Sequence, residues 1–371
     1  MAEGGTGPDA GLNGQPPPAE VAAIEVASLA TNVPARLREA AAITDDESWL
    51  AQNLRNPRTI LSFLLAIAIL AFLFTRLNVP LADIWATVKQ ANVWLFALGF
   101  LVYYSAFFLR GIRWRTLLAD VGFSADRGFR IPTVPGLMEI IYLSWFINCI
   151  VPAKLGDAYR AYLLKRDAGI SFSRTFGTIL AERMIDITVL FSLLLLSAFL
   201  TFQGHLPAEL NWTIGFGALL VVILLVGLLT MRRFGHIVER LLPNRFKDLY
   251  VKLQEGTLQS FRRRSLPALV GYTAAIWLLE SGRLYFVTNS LDTHIQLSVV
   301  IFIALASSLI TTLPLTPGGA GFVEGAVFVV LQTVGVDPTT ALSIALLDRV
   351  INYWSIIVGG IIVYIASHRK R

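Results

Sequence analysis

Cysteine is almost missing from this chain: Cys149 is the only one in 371 residues. One thiol inside an apolar segment excludes an intrachain disulfide. Histidine is scarce as well, and His205, His236, His294 and His368 stand singly in polar stretches or at the terminus. Zinc and haem need ligands at matched spacings, which these four do not offer. No G-x-x-x-x-G-K-[ST] loop occurs, so no nucleotide-binding motif is present. Charge is the third shortage, with 15% Asp, Glu, Lys and Arg against 55% hydrophobic residues and a mean hydropathy of +0.64. A soluble domain carries about 25% charged residues, so that class is excluded. Neither a metal, a cofactor nor a nucleic-acid partner is expected.

What the sequence does have is length of apolar run. Windows at 59–77, 93–109, 175–202, 214–231, 266–288, 297–313 and 341–366 approach or exceed the ~20 residues that span a bilayer. Residues 1–57 differ: "MAEGGTGPDAGLNGQPPPAE" has no apolar block, and the stretch reads as a disordered cytoplasmic tail with a short surface helix near Trp49. Residues 58–371 then form the membrane domain.

Arg and Lys favour the cytoplasmic side of short loops. The basic loop 232–264, the tracts 110–130 and 154–174, and the closing "HRKR" are therefore expected inside. "QGHLPAELN" and "NSLDTHIQ" carry no Lys or Arg and are expected outside. This arrangement closes only if 297–313 enters from outside, turns at "PLTPGGAG" and returns through "FVEGAVFVVLQTV". Pro317, Gly318, Gly319 and Gly321 would form the tip of a re-entrant hairpin. A second break follows "MEIIYLSWFINCI" at Pro152 and Gly156, between basic flanks, so that hairpin should enter from the cytoplasm.

The two regions correspond. Gly169-Ile170-Ser171 precedes Glu182-Arg183, as Gly335-Val336-Asp337 precedes Asp348-Arg349 at the same interval. "FFLRGIR" and "WLLESGR" place Arg113 and Arg283 at equivalent helix ends. The fold expected is an all-α polytopic membrane protein of about six full spans plus two re-entrant hairpins. Its halves, about 58–203 and 212–366, form an inverted-topology repeat, with the basic loop inside the second half.

Ionisable groups inside a membrane are costly, face the interior and mark function. Glu182, Arg183 and Asp186 lie within about one turn, Glu280 and Arg283 are three apart, and Glu324 follows the glycine-rich tip. Such groups serve either as ion pairs that lock hairpins to helices or as substrate contacts. Arginine forks onto phosphate oxygens, so Arg183, Arg349, Arg113, Arg160 and Arg283 are candidate anion ligands. Glu182, Asp186, Glu280, Glu324, Asp348 and Asp157 are candidates for gating or proton coupling. The tip itself offers backbone N–H groups at a helix start, which suit an anion unless Glu324 caps them first.

"LPLTPGGAGFVEGA", "VPAKLGDAYRAYLLKRDAGIS…LAERMID" and "LLDRVINYWSIIVGG" resemble the transmembrane region of lysylphosphatidylglycerol synthases, a flippase-like family, over roughly residues 59 to 366. Family members commonly show Gly-Glu where this chain has Gly156-Asp157. The resemblance implies movement of phospholipids, aminoacylated phospholipids or lipid-linked sugars between leaflets of the plasma membrane. The full synthases carry a soluble aminoacyl-transferase domain after this region. None follows here, so lysyl transfer is not expected. Two other readings stay open: a polyprenyl-phosphate-dependent glycosyl or headgroup transferase, and a non-catalytic partner of lipid-modifying enzymes. The first wants clustered carboxylates in a loop, and "NVPLADIWATVKQAN" offers Asp83 alone.

Overall fold

The computed structural model describes residues 57–370 apart from 78, 125–126, 152–153, 204, 206 and 313–315. The expected tail lies outside these residues except for Pro57, and so does the break at Pro152. All regular structure among the described residues is helical. The first six helices are α1 (Pro57–Leu77), α2 (Leu81–Lys89), α3 (Val93–Asp120), α4 (Val134–Ile150), α5 (Leu155–Ala168) and α6 (Phe172–Phe202). They are followed by α7 (Asn211–Leu241), α8 (Asn244–Gln259), α9 (Leu266–Ser290), α10 (Leu297–Ile310) and α11 (Phe322–Thr333). The chain closes with α12 (Pro338–Arg349), a π-helical turn (Val350–Trp354) and α13 (Ser355–Lys370).

Four stretches among the described residues are long and apolar enough to cross a membrane: α3, α6, α7 and the composite 338–367. Their outward residues are apolar: Leu219, Val222 and Leu225 of α7, Leu101 of α3 and Ile362 of α13 are all exposed. Water would not tolerate so large an apolar surface; lipid would.

The interrupted segments are short. Helices α4, α5, α10 and α11 have 17, 14, 14 and 12 residues. At 1.5 Å per residue the longest reaches about 26 Å, less than the ~30 Å hydrocarbon core. Helix α5 folds back along α4: Gly156 N donates to Asn148 Oδ1 at 2.9 Å. Only glycine allows this approach, since a Cβ on Gly156 would lie 2.0 Å from Ser144 O. The α10–α11 turn, a 3₁₀ segment at Pro317–Gly319, rests on the end of α4. There Tyr353 Oη donates to Cys149 O at 3.2 Å, and a Cβ on Gly318 would lie 2.5 Å from the Tyr353 ring.

Each hairpin is joined to the next long helix in the same way. Gly169 (φ 66°) and Gly335 (φ 84°) take the left-handed conformation that stops a helix, and Ser171 and Asp337 begin the next one. Asp337 caps α12 by accepting from Thr340 N at 3.0 Å, with Pro338 in the first turn. The glycine motifs noticed in the sequence are these stop–start joints.

Two expectations need correction. The basic stretch 232–264 is mostly helix rather than loop, because α7 continues to Leu241 and α8 fills 244–259. Its Leu, Gln, Lys and Arg residues favour helix despite their polarity. Helix α8 docks on α6 at Gly177 and Gly256, where added Cβ atoms would lie 2.4 Å from Leu253 O and 2.2 Å from Arg174 O. The last apolar window, 341–366, lies within the expected span, at 338–367, but is interrupted by the π turn rather than running as one regular helix.

Helices α3 and α9 lie antiparallel along one another. Asn92 N donates to Ser290 O at 2.7 Å at one end, Arg110 meets Glu280 in the middle, and Ser265 bonds to Asp120 at the other end. This pair carries Arg110, Arg113, Glu280 and Arg283, four of the groups described next.

Candidate functional site: a doubled charge network

On the α6 side, three carboxylates and three guanidinium groups meet. Arg113 of α3 reaches Glu182 Oε1 at 2.9 Å, bonds to Asp186 Oδ1, and donates to Thr273 Oγ1 of α9 at 2.8 Å. Arg160 of α5 grips Glu182 with both terminal nitrogens, at 3.0 and 2.9 Å, and its guanidinium lies 3.8 Å from the Trp114 ring centre. Arg183 forks onto both oxygens of Asp157 at 3.2 Å and touches Asp186 Oδ2 at 3.4 Å.

On the α12 side the arrangement recurs. Arg283 of α9 holds Asp348 through Nε at 2.7 Å and Nη2 at 3.1 Å, and Glu280 at 2.5 Å. Arg110 of α3 reaches Glu280 at 2.6 Å, its guanidinium 4.4 Å from the Trp145 ring centre. Arg349 donates to Glu324 Oε1 at 3.0 Å, to Gly318 O at 2.8 Å and to Asn352 Oδ1 at 3.3 Å. Glu324 also accepts from Gly321 N at 2.7 Å, so the carboxylate caps the hairpin tip where an anion was expected.

The two sets correspond in several contacts, although Arg160 on Glu182 has no counterpart, Val327 standing at the equivalent place. Arg113 on Glu182 matches Arg283 on Asp348, and Arg183 on Asp157 matches Arg349 on Glu324, each acid being the third residue of its hairpin's second helix. Asp186 and Asn352 occupy equivalent places, four residues after Glu182 and Asp348. Arg113 donates to Thr273, while Arg283 lies 5.3 Å from the ring of Tyr103. Tyr103 and Thr273 each stand ten residues before the arginine of their own helix and meet the arginine of the other. Arg110 and Glu280 are equivalent to one another, and they pair across the α3–α9 contact.

The sequence located these residues but not all their partners. Glu182 does not pair with its neighbour Arg183, nor Asp348 with Arg349, because adjacent helical side chains point to different faces. Glu280 and Arg283 do pair, as their three-residue spacing suggests. Arg110 was missed, as were Thr273, Tyr103 and Asn352. The available signal was that Arg110 precedes Arg113 by three, as Glu280 precedes Arg283.

Every carboxylate in the two sets is held by at least one guanidinium, so a ligand anion must compete for donors or use spare ones. Arg110 Nη1, Arg113 Nε and Arg160 Nε are buried with no hydrogen-bond partner. Accessibility also separates the halves: the Arg183 side chain is 31% exposed and that of Arg349 only 6%.

The model of the lysylphosphatidylglycerol synthase TM region family matches residues 59–360, which include every residue of both networks. The chain belongs to that family. A UPF0104 membrane protein of Methanocaldococcus jannaschii is 34% identical over 229 residues, covering 61% of this chain and 95% of the relative. A UPF0104 membrane protein of Pyrococcus horikoshii is 24% identical over 314 residues, covering 76% of this chain and 91% of the relative. Glycosyltransferase AglD of Haloferax volcanii is 28% identical over 338 residues, covering 80% of this chain and 53% of that longer protein. Membership in the synthase TM-region family fits the all-helical membrane architecture.

Proposed function

We propose that this chain is a lipid translocator, moving an anionic phospholipid or a polyprenyl-phosphate-linked glycan between leaflets. The observation that supports it is the doubled charge network on helices whose equivalents, α3 and α9, run antiparallel. Antiparallel equivalents are what two inverted repeats produce. In this reading the α4–α5 and α10–α11 hairpins enter from opposite faces of the plasma membrane, and both chain termini are cytoplasmic. The headgroup meets the partly exposed Arg183 first, displacing Asp157, while Arg349 waits behind Glu324. Opening of the second half and closing of the first then exchanges the roles of the two arginines. Glu182, Asp186, Glu324 and Asp348 are the groups through which protons would couple to this exchange.

The transport itself needs no chemistry on the lipid, so the chain is not an enzyme in this reading. Its partners are membrane lipids and the enzymes that modify them. The similarity to a glycosyltransferase favours a second reading, transfer of a sugar on a lipid carrier. Purified protein in liposomes separates the two. A translocator makes headgroups of inner-leaflet anionic lipid accessible to an impermeant reagent without changing lipid mass. A transferase supplied with an activated sugar changes the mass and leaves accessibility at the protein-free rate.

A further inference from the structure

A cleft of about 630 Å³ opens between α3, α4 and α13. This is within the ~300–1,000 Å³ of small-molecule sites. Phe107, Met138, Ile362 and Val363 make its walls, and the linked hydroxyls of Tyr104 and Tyr142 lie at one end. Glu139 and Ser367 line it too, and Pro135 and Ser367 mark the opposite end, toward the start of α4 and the end of α13. Ser367 Oγ is buried without a hydrogen-bond partner.

The flanking surface decides what enters. Leu101 and Phe108 of α3 are exposed next to its lining residues, and the lining residue Ile362 of α13 is itself exposed. A ligand therefore arrives from the hydrocarbon of the bilayer rather than from water. In the other half, Phe202 of α6 packs edge-on against Phe302 of α10, with ring centres 5.4 Å apart.

We infer that this cleft seats one hydrocarbon chain of a membrane lipid whose headgroup carries hydrogen-bond donors. The chain lies along α13 with its end toward Tyr142, and the headgroup stays at the surface end. There the Glu139 carboxylate, with about four acceptor sites, accepts a further hydrogen bond from a hydroxyl or ammonium group of the headgroup. Ser367 Oγ donates to an ester or phosphate oxygen. The inference rests on the translocator reading, for which the cleft is a waiting position in the bilayer that a lipid leaves before its headgroup reaches Arg183.

The test uses full-length protein in liposomes containing phosphatidylglycerol with a photoreactive diazirine in one acyl chain, and adducts are mapped by peptide mass spectrometry. Adducts should concentrate on Met138, Ile362 and Val363. Ala366→Trp, at an exposed lining position that tolerates bulk, should lower them about tenfold, as expected when two methylene groups lose their burial. Leu225→Trp on α7 should change nothing. The same tail on phosphatidylethanolamine should label as well as on phosphatidylglycerol, and on donor-free phosphatidylcholine about tenfold less, the worth of one hydrogen bond to a charged group. Glu139→Leu should abolish that preference. Adducts spread evenly over α7, or unchanged by Ala366→Trp, overturn the inference; equal labelling by all three lipids overturns its headgroup part. Cleft labelling by a protein that moves no lipid sinks the translocator reading alone. Lipid movement without cleft labelling sinks this inference alone.

Discussion

At the scale of single residues, the two adjacent acid–arginine pairs are equivalent in sequence and unequal in setting. Arg349 is buried and satisfies Glu324, Gly318 O and Asn352 together, which a lysine ammonium cannot do in the same geometry. Arg349→Ala should therefore destabilise the protein by roughly 3–5 kcal/mol, the cost of leaving a buried charge unpaired, read as a lower melting temperature in detergent. Arg183 is 31% exposed on a mainly two-oxygen contact to Asp157. Arg183→Lys should leave stability within about 1 kcal/mol and yet impair lipid movement, since the fork that suits phosphate is gone. Full transport by Arg183→Lys would remove that arginine from the headgroup path. A third substitution, Glu182→Gln, strips charge from between Arg113 and Arg160 and should cost roughly 3–5 kcal/mol.

Among the elements, the hairpins depend on glycines that no other residue can replace. Gly319 has φ 70°, and a Cβ there would lie 3.0 Å from Val323 Cγ2 and 3.2 Å from Thr311 Cγ2. Gly319→Leu should insert normally, as judged by membrane fractionation, and lose lipid movement. Normal transport by that variant would show that the α10–α11 tip has no working part. Much of this layer was legible in advance. The breaks, the paired joints at Gly169 and Gly335, and the short apolar arms follow from local chemistry. The basic stretch 232–264 was not legible, because α8 gains its place from glycine contacts with α6, far away in sequence.

For the whole molecule, the testable claim is opposed insertion of the two halves. On a background with the buried Cys149 replaced, Ser171→Cys should react with an impermeant maleimide from the cytoplasm and Thr339→Cys from outside. Both positions start the long helix of their half, so their labelling reports the orientation of α6 and α12 directly. Labelling of both from one side would contradict the inverted arrangement, whatever the fate of the charge network.

Sequence alone determined the solvent and the parts. Apolar runs at the length of a bilayer require lipid around them, and charges within such runs require partners. Glycine and proline marked where helices stop, since their backbone limits act within a few residues. Only tertiary structure decided which charge meets which. Glu182 pairs with Arg113 and Arg160, and Asp348 with Arg283, across helices that are distant in the chain. Helical geometry fixes the face a side chain takes, but the neighbour on that face is set by packing. The same holds for the cleft beside α13: Gly359 lets α13 approach Tyr142 closely, and the gap exists only where α3, α4 and α13 come together.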